Sequence, residues 1–108
     1  MADTAKVLAQ VNPSATTLTT LYTVPAATSV VSSSIVVCNQ GVAGSFRISV
    51  QIAGAADNVK QYLYYDTAIG ANATFVATIG MTLAATDVVK IYNSSGSMSF
   101  NLFGIEII

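Results

Sequence analysis

Residues 45–54 read SFRISVQIAG. Phe46, Ile48, Val50 and Ile52 alternate with Ser45, Arg47, Ser49 and Gln51. A period of two with one apolar and one polar side is the pattern of an antiparallel strand with one face in a core and one in water. A helix would need apolar residues every three or four positions, and none recurs that way here. The stretch ATFVATIG, residues 73–80, repeats the pattern with Phe75, Ala77 and Ile79 set against Thr74, Val76 and Thr78.

Working outward, the rest of the chain divides into similar runs. TTLYTV ends at Val24, where Pro25 cannot donate to a ladder. SVVSSSIVVCN is a long strand closed by the turn residues Asn39, Gln40 and Gly41. Within it Val36 and Cys38 oppose Ile35 and Val37, so the alternation selects neither face. VKQYLYYDT places Val59, Leu63 and Tyr65 on one side, and DVVKIYN places Val89 and Ile91 on one side. The last run, SMSFNLFGIEII, starts with Phe100 and Leu102 inward and then shifts to Phe103, Ile105 and Ile107. That change of phase predicts a bulge near Gly104. Turn clusters (VPAAT, NQGVAG, AGAADN, IGAN, LAATD, NSSGS) separate the runs.

Short strands at that spacing predict an all-β antiparallel sandwich or barrel. An immunoglobulin-like sandwich is expected to carry a central Trp and often a Cys pair, whereas this chain has no Trp and one Cys. The expected fold is therefore an antiparallel β-sandwich of the jelly-roll type with seven to eight strands. Residues 12–108 form its single domain, and residues 1–11, set apart by Asn12-Pro13, read as an N-terminal arm or short strand.

Charged residues make up only 8% of the 108-residue chain, against roughly a quarter in ordinary soluble domains. Eleven Ser and twelve Thr take their place. A surface of hydroxyls and small apolar groups is easy to desolvate, which suits a subunit of a permanent assembly. Lys6, Arg47, Lys60 and Lys90 are scattered and the net charge is −1. No basic footprint for nucleic acid or an anionic membrane results. The beginning, MADTAKVLAQ, lacks the basic region and apolar run of a secretory signal, and no stretch has the length of a membrane helix. Assembly in a host cytoplasm is the expectation.

The chain has no His, which removes Ser-His-Asp and Cys-His chemistry. Asp3, Asp57, Asp66, Asp87 and Glu106 show no short-range spacing that would gather a metal or a catalytic pair. No catalytic residue, cofactor site or metal site is predicted. Cys38 reads as a small buried strand residue. Asp66 and Asp87 read as turn caps at strand boundaries. Arg47 reads as a lone outward residue, solvated or paired with a partner chain. Tyr62 and Tyr64 point opposite to Leu63 and Tyr65, and Val88 and Tyr92 oppose Val89 and Ile91. Strands apolar on both sides call for cover on both sides, and Tyr is common at interfaces. Tyr62, Tyr64, Val88, Tyr92 and the terminal Ile108 are therefore the candidate subunit-interface residues.

The segment LAATDVVKIYNSSGSMSFNLFGIEI resembles the closing strands of small jelly-roll virion proteins of tailed bacteriophages. The matching residues are Leu83, Ala84, Asp87, Val88, Val89 and Ile91, then Phe103, Gly104, Ile105, Glu106 and Ile107. Thr86 stands where such proteins commonly have Gly. LYTVP leading into a long strand closed by Asn39 is similar as well, so the resemblance spans roughly residues 19–107. It implies a non-enzymatic structural subunit, often trimeric, located in the virion. The favoured form is a capsid decoration (cement) protein that binds between capsid subunits, with the major capsid protein or another virion protein as partner. A tail, neck, baseplate or fibre-associated module, with or without carbohydrate binding, is the alternative.

Overall fold

The structure, a computed structural model, describes residues 3–108. It is all-β apart from two short 3-10 turns, Ile52–Gly54 and Val59–Gln61. Nine strands run in order among the described residues: β1 (Asp3–Val11), β2 (Thr19–Thr23), β3 (Ser29–Asn39), β4 (Gly44–Gln51), β5 (Tyr62–Ile69), β6 (Thr74–Ala77), β7 (Met81–Leu83), β8 (Val88–Asn93) and β9 (Met98–Ile107). They form two antiparallel sheets. The first has the order β1-β9-β3-β6, with β7 also on β3, and the second has the order β2-β8-β4-β5. β6 pairs with Ile35–Cys38 and β7 with Val30–Ser32, so the two share one side of β3. Residues 3–11 are thus not a free arm but the edge strand of the first sheet, paired with β9 from Asp3–Ile107 to Val11–Phe100.

The core lies between the sheets. Val30, Ile35, Val37, Met98, Phe100 and Leu102 of the first sheet meet Phe46, Ile48, Val89 and Ile91 of the second, all with no exposure. Phe46 anchors it, with the Phe75 ring at 5.0 Å and the Phe100 ring edge-on at 6.3 Å. The alternation in β6 and β8 holds: Ala77, Val89 and Ile91 are buried, and Phe75 and Ile79 pack on the core. In β4 Phe46 and Ile48 are buried and Val50 packs half-buried on the core, but Ser49 and Gln51 of the opposite set are buried as well instead of facing water. The strand then stops at Gln51, and Ile52 stands on a 3-10 turn, largely in water.

Two expected phases change, in β9 and β5, and a third left open by the sequence, in β3, is set; bulges account for all three. β9 keeps one phase throughout: Met98, Phe100, Leu102, Gly104 and Glu106 face inward, and Phe103, Ile105 and Ile107 face out. The irregularity at Gly104 lies in its neighbours. β3 inserts Ser33 and β1 inserts Leu8 beside it. The neighbouring backbone comes so close that a Cβ on Gly104 would lie 2.5 Å from the Val31 carbonyl oxygen. The Ser33 bulge also sets the face of β3: Val30 and Ser32 before it, and Ile35, Val37 and Asn39 after it, are buried. In β5, Ile48 faces Tyr64 and Ser49 faces Tyr62, which leaves Leu63 over. Phe46 faces Thr67, which leaves Tyr65 and Asp66 opposite Arg47 alone. Tyr64 therefore turns inward against Phe46 and Phe75, while Val59, Leu63 and Tyr65 are exposed, the reverse of the expected phase. Asp66 has φ 50° and is part of the bulge rather than a cap at a strand end. Thr86 adopts φ 69°, the left-handed conformation that a Gly would adopt without strain.

Candidate interaction surfaces

The outer face of the first sheet is built from the alternate residues that the core leaves over. Its cross-strand rows are Ala5–Ile105–Val31–Thr82, Val7–Phe103–Ser34 and Gln10–Asn101–Val36–Val76. Val7, Val31, Val76 and Ile105 are each 40% or more exposed. These rows carry no charge; Asp3 stands at the corner of the face, in the next row beside Ile107 and Ser29. Cys38 belongs to this face too, half-buried opposite Ser99 and Thr74, rather than to the core. The remaining charges are placed elsewhere. Lys6 turns to Glu106, Arg47 pairs with Asp66, Asp57 accepts from Gln51, Asp87 accepts from the Ala53 and Ala84 amides, Lys60 is on the second 3-10 turn, and Lys90 stands on β8 opposite Ser49 in the second sheet.

The outer face of the second sheet is aromatic and polar. Arg47 on β4 lies opposite Tyr92 on β8, beside the bulge that carries Tyr65 and Asp66. Its guanidinium sits 4.2 Å from the Tyr65 ring centroid and 4.3 Å from that of Tyr92. Nε and Nη2 donate to the two Asp66 oxygens at 2.6 and 3.3 Å. Tyr62 completes the row, edge-on to Tyr65 at 5.0 Å. Arg47 is therefore not a lone solvated residue: its carboxylate partner comes from its own chain. This pairing holds its guanidinium above the ordinary arginine pKa, so the charge is fixed.

A third polar group closes one end of the interlayer. Glu106 faces inward, accepts from Lys6 Nζ at 2.8 Å, and accepts from the Tyr22 hydroxyl at 2.5 Å. The Lys6 and Tyr22 hydrogen bonds hold the Glu106 carboxyl below the usual glutamate range. Burial, then the bond to Glu106, pushes the Tyr22 phenol well above the ordinary tyrosine value. The interaction fixes the end of β9 against β1 and β2. The surface also holds open cavities of about 320 Å³ between Gln10, Asn12 and Asn101 and of about 400 Å³ between Val50, Ile52, Ala55, Lys60 and Gln61. Among the described residues no three His, Cys, Asp or Glu side chains gather where a metal could sit.

Of the predicted interface residues, the structure brings Tyr62, Val88 and Tyr92 together on the second outer face. Tyr64 is removed from it by the Leu63 bulge and packs on the core. Ile108 lies apart, exposed just past the end of β9 in the other sheet. Sequence reading missed Tyr65 and Asp66 as partners of Arg47. It also missed the outward aliphatic patch of Ile105 and Val31 with Val7 in the neighbouring row, because both depend on where the bulges fall. No family model, no curated protein and no solved structure matches this chain.

Proposed function

We propose that this chain is a structural protein of a phage virion, a decoration subunit that binds between capsid subunits as a homotrimer. The observation that carries the reading is the outer face of the first sheet: mostly apolar and neutral polar side chains across five strands, with Asp3 alone charged. Exposed aliphatic groups on a rigid sheet gain by burial, roughly 25 cal/mol per Å² of apolar area. The absence of buried charge removes the desolvation penalty that ion pairs incur at an interface. The fold reading is consistent with the setting. The strand pairs β1–β9, β2–β8, β3 with β6 and β7, and β4–β5 support a jelly-roll reading, in which one long antiparallel ribbon is folded over. Fold alone does not carry function, so the face does. The β1 edge strand contributes Ala5 and Val7 to it.

Light scattering of the purified chain, followed by co-sedimentation with phage heads that lack it, tests the reading. A trimer that sediments with the heads is expected; a stable monomer without affinity for them defeats it. The alternative, a tail, neck, baseplate or fibre module, draws support from the opposite face, where Tyr65, Arg47 and Asp66 stand ready for a ligand.

A further inference from the structure

We propose that Tyr65, Arg47 and Asp66, flanked by Tyr62 and Tyr92, form a binding site for neutral saccharides. The inference is independent of docking by the first sheet, since the two surfaces lie on opposite sides of the core.

The first observation is rigidity without cover. Tyr65 keeps 57% of its surface in water, with the Arg47 guanidinium over one face of its ring and the Tyr62 ring packed perpendicular to it. Arg47 is held in turn by Tyr92 and by two bonds to Asp66. A solvent-facing ring fixed in this way loses little freedom when a ligand covers it.

The second observation is open hydrogen-bonding capacity. A guanidinium has five N–H donors, and Asp66 engages two of Arg47's nitrogens, leaving Nη1 unbound. Asp66 retains free lone pairs and its side chain is about half exposed, at 47%. The hydroxyls of Tyr62, Tyr65 and Tyr92 take no hydrogen bond among the described residues. A fixed donor beside a fixed acceptor matches a vicinal diol, in which one hydroxyl accepts from Arg47 and the other donates to Asp66. The apolar C–H side of a pyranose ring then covers Tyr65.

The third observation is charge. Asp66 cancels Arg47 within the site and an acidic group on the ligand meets Asp66 directly, while Lys90, on the same face of β8 as Tyr92 and opposite Ser49, is a cation that an anionic ligand would use and that a salt series detects. The first outer face offers none of this: its one large aromatic, Phe103, is half-buried and has no charged neighbour in its row.

The test is a titration with maltohexaose, cellohexaose and chitohexaose, followed by the aromatic NMR signals of Tyr62, Tyr65 and Tyr92. At least one sugar is expected to shift these signals and leave the Tyr22 and Tyr64 signals in place. Tyr65→Ala and Arg47→Met are expected to weaken binding at least about tenfold, or ~1.4 kcal/mol, while Tyr65→Phe, which keeps the ring, stays within about threefold. Raising salt to about 0.5 M is expected to leave the affinity unchanged, because a neutral ligand is not screened. Ile105→Asp is expected to bind sugar normally, which separates this site from the docking face. Silence from all three sugars, or full binding by Tyr65→Ala, overturns the proposal. So does a steep loss with salt, the mark of an anion site, or a response of the tyrosines to a phage protein in place of sugars.

Discussion

The two outer faces are made by the same fold from side chains of opposite habit. On the first, Ile105, Val31 and Val7 sit side by side in water with no polar partner. On the second, Arg47, Asp66, Tyr65, Tyr92 and Tyr62 are tied to one another. Side chains satisfied within their own chain contribute to its stability; unsatisfied aliphatic ones contribute only when something covers them. In the proposed reading that difference divides labour: the first face docks, and the second holds the subunit together and displays its tyrosines.

The sharpest way to break that division is Ile105→Asp. A charge in the middle of the aliphatic row is expected to weaken docking by roughly a hundredfold, or about 2.7 kcal/mol. The melting point of the isolated subunit should stay near wild type, since exposed substitutions shift stability by only about 0.5 kcal/mol. A large fall in melting point with docking intact would reverse the reading. One layer beneath, Gly104→Ala attacks the frame of the same face. Its Cβ has no room beside the Val31 carbonyl, so denaturant unfolding should show a loss of about 3 kcal/mol.

Glu106→Gln is next. Replacing a charged acceptor of two bonds with a neutral one should cost about 2 kcal/mol and change the pH profile. The folded Glu106 pKa lies below the unfolded one, so the stability it gives is full above about pH 4.3 and drains as pH falls through the folded value. Tyr22 acts in the opposite direction: its raised folded pKa makes stability fall as pH rises beyond about 10. Urea titrations across pH should show the acid limb flattened in Glu106→Gln. The smallest effect is expected for Arg47→Met, about 1 kcal/mol of subunit stability for a partly exposed pair and its ring contacts. Its docking to phage heads should be unchanged, and a docking defect there would erase the distinction between the faces.

Much of this was legible in the sequence. Phe46 and Ile48, Phe75 and Ala77, Val89 and Ile91, and Phe100 and Leu102 all face the core as their alternation demands. Alternation is a property of one strand and survives without knowledge of neighbours. The misread positions share a cause. A bulge belongs to a pair of strands, and one strand's sequence does not say which partner inserts the extra residue. Gly104 marked the right place, yet the insertions are Leu8 and Ser33 on either side of it. YLYYD could not reveal that Tyr64 goes in and Tyr65 out, because that depends on its register with Ile48 and Ser49. The Arg47–Asp66 pair joins residues 19 apart in sequence and exists only once that register is set.

Co-sedimentation of the purified chain with phage heads that lack it, run side by side with Ile105→Asp and Tyr65→Ala, addresses the central claim most directly. The wild-type chain and Tyr65→Ala should pellet with the heads and Ile105→Asp should remain in the supernatant. Binding by Ile105→Asp together with loss of Tyr65→Ala, or no binding by the wild type, would contradict it.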